Sequence, residues 1–344
     1  MNRDIVPING SMLAGLPGVD EFFSVKDYVP GQPIPDLIRD PKTGKIVVNE
    51  LKRYVKPFWL TTEPITITLA GNGLSDPIPM MLDNKGAYEI FQAFFNSQQA
   101  EGFTVDIFTP DTRGRLMNRE IHVATIAAGG GVTTPVGAFP ATSSAGRPFR
   151  WPESYFLDVE EKGKAIMVTF RNLSANQNTI RFALHGLRWY HMQAPGWIAR
   201  RMKELYRDRF STFPFFYTTE EFTELTALQT GLERDIRFTD EAWVEWVKSM
   251  VVSTGDFDVR IREKESGKRF MANLIRDSLV FGNGEFPFLN WESSLFEPNF
   301  KLVFELDDAS NATNTLFITL ACRKLLWDPH DDRLARPEHA GGTF

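Results

Sequence analysis

Apolar and polar residues alternate in short runs along most of the chain. In PITITLAG (64–71), Ile65, Ile67 and Leu69 fall on one face and Thr66 and Thr68 on the other, the period-two pattern of a half-buried strand. FTVDIF (103–108), EIHVATIA (120–127), IMVTF (166–170) and TIRFALHGLRWY (179–190) read the same way, as do FDVRI (257–261), LVFEL (302–306) and TLFITLACRKLL (315–326). Two segments break the alternation. GAYEIFQAFFNSQQAEG sets Ile90 and Phe94, and Phe91 and Phe95, four apart behind Asp83 or Asn84 as a cap. TDEAWVEWVKSM groups Trp243, Trp246 and Val247 behind Thr239 or Asp240. Both spacings predict a short helix packed against a sheet.

The order of these elements repeats. PFWLTTE (57–63) and PFFYTTE (214–220) agree at five of seven positions, and PFRWPES (148–154) and PFLNWES (287–293) share Pro, Phe, Glu and Ser in register. Beyond the second marker each copy runs strand, polar turn, strand. A long-period repeat of this kind predicts a tandem duplication. The expected fold class is mainly β, two tandem jelly-roll-like β-sandwiches, each with one short α-helix. A parallel α/β fold needs a helix between most strands, and the chain does not supply them. The two markers lie 91 residues apart in the first copy and 73 in the second, which leaves the first with about 18 extra residues. AAGGGVTTPVGAFPATSSAG (127–146) has the length and the Gly, Thr, Pro and Ser content of an inserted loop.

The sandwiches are expected at 57–192, with the insertion loop at 127–146, and at 213–327. Residues 1–56 hold six prolines between short apolar pieces and predict an extended arm that rests on a neighbouring subunit. WIARRMKELYRDRF (197–210) predicts a helical linker over 193–212, and residues 328–344 a polar tail.

Composition narrows the class. A chain of 344 residues with 42% hydrophobic and 24% charged content is globular and long enough for two cores. No run of 18 apolar residues is present to span a bilayer, so a soluble protein is expected. The amino terminus lacks the pattern of a secretory signal, and the single Cys322 precludes an intrachain disulfide and a cysteine-based metal cluster. These features predict folding in a reducing cytosol. A net charge of −6 argues against general affinity for nucleic acid.

Candidate chemistry is sparse. The chain has no phosphate loop, dinucleotide fingerprint, HExxH or GxSxG elbow, and the glycines at 129–131 are not followed by a helix start. His185 and His191 lie six apart at a strand end and read as ordinary surface or interface residues rather than metal ligands. Glu153 and Glu292 recur in the two copies and read as turn caps. No catalytic residue, metal ligand or cofactor site is therefore expected, and the chain is not expected to be an enzyme.

The Pro-Phe loops followed by NLSANQNTIRFALHGLRWY give residues 57–327 a resemblance to the tandem β-sandwich structural proteins of tailed bacteriophage virions, and more loosely to double jelly-roll capsid proteins. The resemblance implies a subunit of the capsid shell, its decoration or the head-tail connector. Such a protein is made in the host cytoplasm, assembles as a symmetric oligomer, and has copies of itself and other virion proteins as partners. Membrane and direct nucleic-acid contacts are not expected. Aromatic residues favour buried interface centres, which makes Phe58, Trp59, Phe149, Trp151, Phe215, Phe216, Phe288 and Trp291 the interface candidates. The rival reading is a carbohydrate-binding, lectin-like module of a phage particle using Trp151, Trp189, Trp291 and Trp327 as sugar platforms. A β-sandwich hydrolase is a third.

Overall fold

Strands β1 (Leu37–Arg39) and β2 (Ile46–Val48) pair antiparallel, and a single helical turn, α1 (Leu51–Tyr54), leads into the first sandwich. The computed structural model describes residues 37–39, 45–48, 51–83, 86–110, 115–130, 151–158, 165–196, 198–200, 212–220, 222–282 and 288–325. The first sandwich contains β3 (Val55–Thr61), β4 (Ile67–Leu69), β5 (Ile78–Met81), β6 (Ala87–Ser97), β7 (Phe103–Phe108) and β8 (Ile121–His122). A second helical turn, α2 (Val123–Ile126), precedes β9 (Ala128–Gly130), β10 (Tyr155–Asp158), β11 (Ala165–Asn172) and β12 (Asn178–Trp189). One sheet runs β10-β6-β12-β3, and the sheet facing it runs β5-β11-β7-β8.

The second sandwich has β13 (Thr212–Thr218), β14 (Thr223–Leu225), β15 (Leu232–Arg237), β16 (Trp243–Ser253), β17 (Phe257–Glu263), β18 (Ile275–Arg276), β19 (Phe288–Phe296), β20 (Lys301–Asp308) and β21 (Asn314–Leu325). Its sheets run β19-β16-β21-β13 and β15-β20-β17-β18, the same order strand for strand. In both units the first and last strands are neighbours and the chain crosses repeatedly between sheets, which is the wrapping of a jelly roll.

The correspondence extends to single residues. The edge strands β3 and β13 carry the two PF-containing heptads and pair with β12 and β21, so Trp59 opposite His185 matches Phe216 opposite Ala321. Residues 115–128 (RLMNREIHVATIAA) align without a gap with 269–282 (RFMANLIRDSLVFG). Their anchor points match as well. Leu116 donates its amide to Ile107 and Phe270 donates to Ile261, while Ile121 pairs with Val105 and Ile275 with Val259. Ala128 then lies beside Phe94 as Gly282 lies beside Met250. Most of the extra residues of the first copy therefore fall between 128 and the 148 marker, 20 residues against 5 from 282 to 287, and the remaining three precede 115.

The two helices expected from sequence are strands: 87–97 is β6 and 243–253 is β16, each at the centre of its sheet. The physical reason is that apolar residues occupy both faces of each strand, and a β-bulge at the same place in both interrupts the period of two. Phe91 is the extra residue between Gln92 and Ile90, opposite His185 and Gly186, and Val247 the extra residue between Trp246 and Lys248. A bulge adds one residue on one strand and flips the facing of the residues beyond it. Ile90 and Phe95 face the interior while Phe91 and Phe94 pack against His185 on the outer face, so the four-residue spacing joins residues of opposite faces. All eleven residues of β6 are buried, so the strand has no polar face to betray its period.

Three smaller expectations also change. Within 120–127 only Ile121 and His122 are strand before the chain turns into α2. Within 64–71 the strand is confined to Ile67–Leu69 and Ile65 is exposed. The expected loop at 127–146 opens with β9, which pairs parallel to β6, and its residues 131–146 lie outside the described set. The arm's residues 1–36, linker residues 201–211 and the tail at 328–344 also lie outside it, while residues 198–200 are helical.

Each interior is built on aromatic residues. Phe95, Phe103, Phe170 and Phe182 contact one another edge to face in sequence, at centroid separations of 5.5–5.8 Å. Tyr217, Phe238, Phe296 and Phe300 do the same work in the second unit. Phe170 is fully buried between Phe103 and Phe182. Phe170→Ala is expected to cost about 3–5 kcal/mol in equilibrium urea unfolding through lost transfer energy and the cavity left behind.

Candidate interface between the sandwiches

The most elaborate polar and aromatic arrangement lies where the first sandwich meets the outer face of the β13–β21–β16 sheet. It is built from residues 115–128 and 151–154. The first segment is clamped to its own sandwich by Glu120, which accepts two hydrogen bonds of 2.7 Å from Arg171 and one of 2.8 Å from Thr104. The Arg171 guanidinium holds the Glu120 carboxyl below the usual carboxylate range despite partial burial. Burial instead raises Asp106, against the opposing effect of Arg115 at 3.3 Å.

Held in this way, residues 116–118 lie parallel to the edge strand β13. Phe216 donates its amide to Leu116 at 2.9 Å, and Asn118 donates to Phe216 at 3.1 Å. The Asn118 side chain extends the ladder, donating to the Thr218 carbonyl at 2.8 Å and accepting from the Thr218 amide at 2.9 Å. Arg119 continues with its guanidinium on the carbonyls of Thr219 and Glu220. The first sandwich thus covers the exposed edge of the second, a standard means of blocking unwanted strand pairing.

Behind this edge the α2 turn lies on the sheet. Thr125 and Thr319, both fully buried, share a hydrogen bond of 2.9 Å, and the His122 ring packs on Phe317 at 4.9 Å. His122 accepts from the Ala124 amide through Nδ1, which leaves Nε2 as the donor to the Glu101 carbonyl and the ring neutral. Burial pushes its pKa down to about 4. Trp151 closes the far side. It is buried, donates Nε1 to the Ile126 carbonyl at 3.1 Å, and meets Phe216 edge to face at 5.4 Å. Arg323 joins the units electrostatically, 2.9 Å from Glu245 and 3.1 Å from Glu153, and donates to the Pro152 carbonyl. A solvent-open groove of about 520 Å³ runs along the seam past Arg119, Glu220, Arg237 and Asp240, with its charges balanced.

The structure separates the aromatic candidates. Trp151 and Phe216 meet at the seam between the sandwiches. Phe58 and Phe215 face the interiors, Phe58 against Tyr88 and Phe215 against Tyr217. Trp59 stands on the outer face of β3, 51% exposed, over His185 at 4.4 Å. Phe288 and Trp291 belong to β19, and Phe149 lies outside the described residues. Of the indoles considered for sugar binding, Trp151 and Trp189 are buried, the latter donating to the buried Glu89 at 3.1 Å. Glu153 accepts from the amide of Ser154 and pairs with Arg323. His185 is bonded to Gln92 at 2.9 Å, whereas His191 sits in a separate 3₁₀ turn. No cluster of metal-ligating side chains occurs among the described residues. No described helix is long and apolar enough to cross a membrane.

The joining role of residues 115–128 escaped the sequence reading, which took 120–127 as an ordinary strand, although RLM (115–117) and RFM (269–271) stand at similar distances after the two heptads. They match by anchor position more than by identity, and the repeat was traced through the aromatic heptads.

No protein family and no curated protein matches the sequence. Among solved structures, the infectious bursal disease virus VP2 subviral particle aligns over 79% of this chain and 72% of its own, at 8% identity and a TM-score of 0.22. The plant receptor-like kinase ANX2 aligns over 85% and 94%, at 7% identity and 0.21. The tandem CBM22-1–CBM22-2 domain of Paenibacillus barcinonensis Xyn10C aligns over 79% and 91%, at 8% and 0.16. Likeness at this level carries no argument about function.

Two outcomes are expected. Asn118→Ala removes both side-chain bonds to Thr218 and should destabilise the protein by about 1–2 kcal/mol in urea unfolding. His122 should make stability pH-dependent. Its folded pKa lies below the ordinary 6.5, so the unfolded chain takes up the proton first. The stabilisation is complete above pH 6.5 and is lost as pH falls towards about 4, and His122→Gln should flatten the midpoint-versus-pH curve over that window.

Proposed function

We propose that this protein is a non-enzymatic structural subunit of a bacteriophage particle, in the capsid shell, its decoration or the head-tail connector, and that it assembles with copies of itself into a symmetric oligomer. The observation that carries this reading is the seam. Two jelly rolls are joined by an added strand, a bidentate Asn118, a buried hydroxyl pair and an Arg323 bridge, an investment in rigid relative placement. Jelly rolls commonly serve as shell or lectin units. The burial of Trp151 and Trp189 takes two of the four proposed sugar platforms off the surface and favours the shell. The polar groups at the seam are committed to one another: Glu120 to Arg171, Glu153 to Arg323, His122 to backbone. The acidic balance suits contact with protein rather than with packaged nucleic acid.

Sedimentation velocity on the purified chain, followed by electron microscopy of its assemblies, tests the reading. Concentration-dependent, symmetric oligomers are expected. A strictly monomeric protein that instead binds glycans on an array, with binding lost in a tryptophan-to-alanine variant, contradicts it.

A further inference from the structure

The seam uses a projecting segment on the first sandwich and a receiving edge on the second. Because the units are repeats, the chain also carries the opposite halves of that contact, a second projection on the second sandwich and a second edge on the first. The second projection, 269–282, is held on its own sandwich by the same anchors as the first, yet its tip is exposed. Leu116 and Thr125 are 2% and 0% accessible where they meet the second sandwich, whereas their counterparts Phe270 and Leu279 are 38% and 75% accessible. Both exposed counterparts are large and apolar, and Thr125 is replaced by the bulkier, fully apolar leucine. The second edge is β3, which bounds its sheet as β13 does. It presents Trp59, half exposed, and Thr61 at the positions of Phe216 and Thr218.

We infer that residues 270–272 and 279 of one chain dock on the β3 edge of a second copy of this chain, repeating between chains the contact that joins the sandwiches within one. Ala272 then lies beside Thr61 as Asn118 lies beside Thr218, and Phe270 and Leu279 cover the outer face around Trp59. The contact is heterologous: each chain offers a projection at one end and an edge at the other, and successive copies close into a ring or extend along a line. This inference rests on the assembly reading above and gives it a specific register.

Cysteine cross-linking tests the register directly, since the native Cys322 is fully buried. Full-length chains carrying Ala272→Cys and Thr61→Cys are mixed and mildly oxidised, and compared with an Ala272→Cys and Glu265→Cys mixture. The first pair should give at least tenfold more disulfide-linked dimer, and Leu279→Glu or Phe270→Glu should shift wild-type oligomers to monomer in sedimentation velocity. If the wild type assembles but the first pair links no better than the control and Leu279→Glu assembles normally, the docking is wrong while the structural reading stands. If the wild type is monomeric at every concentration, both fail.

Discussion

The arrangement of the molecule depends on how one edge strand is satisfied. A sandwich leaves strand edges whose backbone groups invite pairing, and a sheet with an apolar outer face needs a cover. In the second sandwich both needs fall on the same sheet: β13 is an edge strand, and every one of its residues is buried. Residues 116–118 supply the missing strand, and α2 with Trp151 supplies the cover. The second unit is therefore completed by the first, and the two sandwiches share one apolar cluster that runs from Leu60 to Cys322.

That dependence explains where polar residues are tolerated in the interior. Thr125 and Thr319 bury hydroxyls that satisfy each other, and His122 buries a neutral ring with both nitrogens bonded. Unpaired, each of these groups would cost roughly 1–3 kcal/mol of desolvation. The Thr125–Thr319 pair crosses the seam, and a shift of one unit against the other by one residue would break it.

Much of this fold was legible in the sequence, and the parts that were not have specific causes. Strands with one polar face, such as IMVTF and FDVRI, showed their period because that face alternates with a buried one. The central strands β6 and β16 did not: β6 is buried on both sides, β16 carries apolar residues on both faces, and a bulge at Phe91 and at Val247 interrupts the period of two in each. The heptads at 57 and 214 marked the repeat, and they coincide with the two edge strands at issue. The seam itself was hidden, because Asn118, Thr125 and Thr319 act through polar complementarity between distant segments, for which a single sequence has no periodic signature. Trp151 was singled out for its type, and its role as a wedge between Ile126 and Phe216 required the coordinates.

The central claim is that residues 116–118 act as a strand of the second sandwich. Hydrogen exchange resolved to the amides of Asn118 and Phe216 tests it most directly. If the claim holds, both exchange as slowly as amides in the middle of β21, because opening them requires separating the sandwiches. Exchange at the rate of an exposed loop, with β21 still protected, would contradict it.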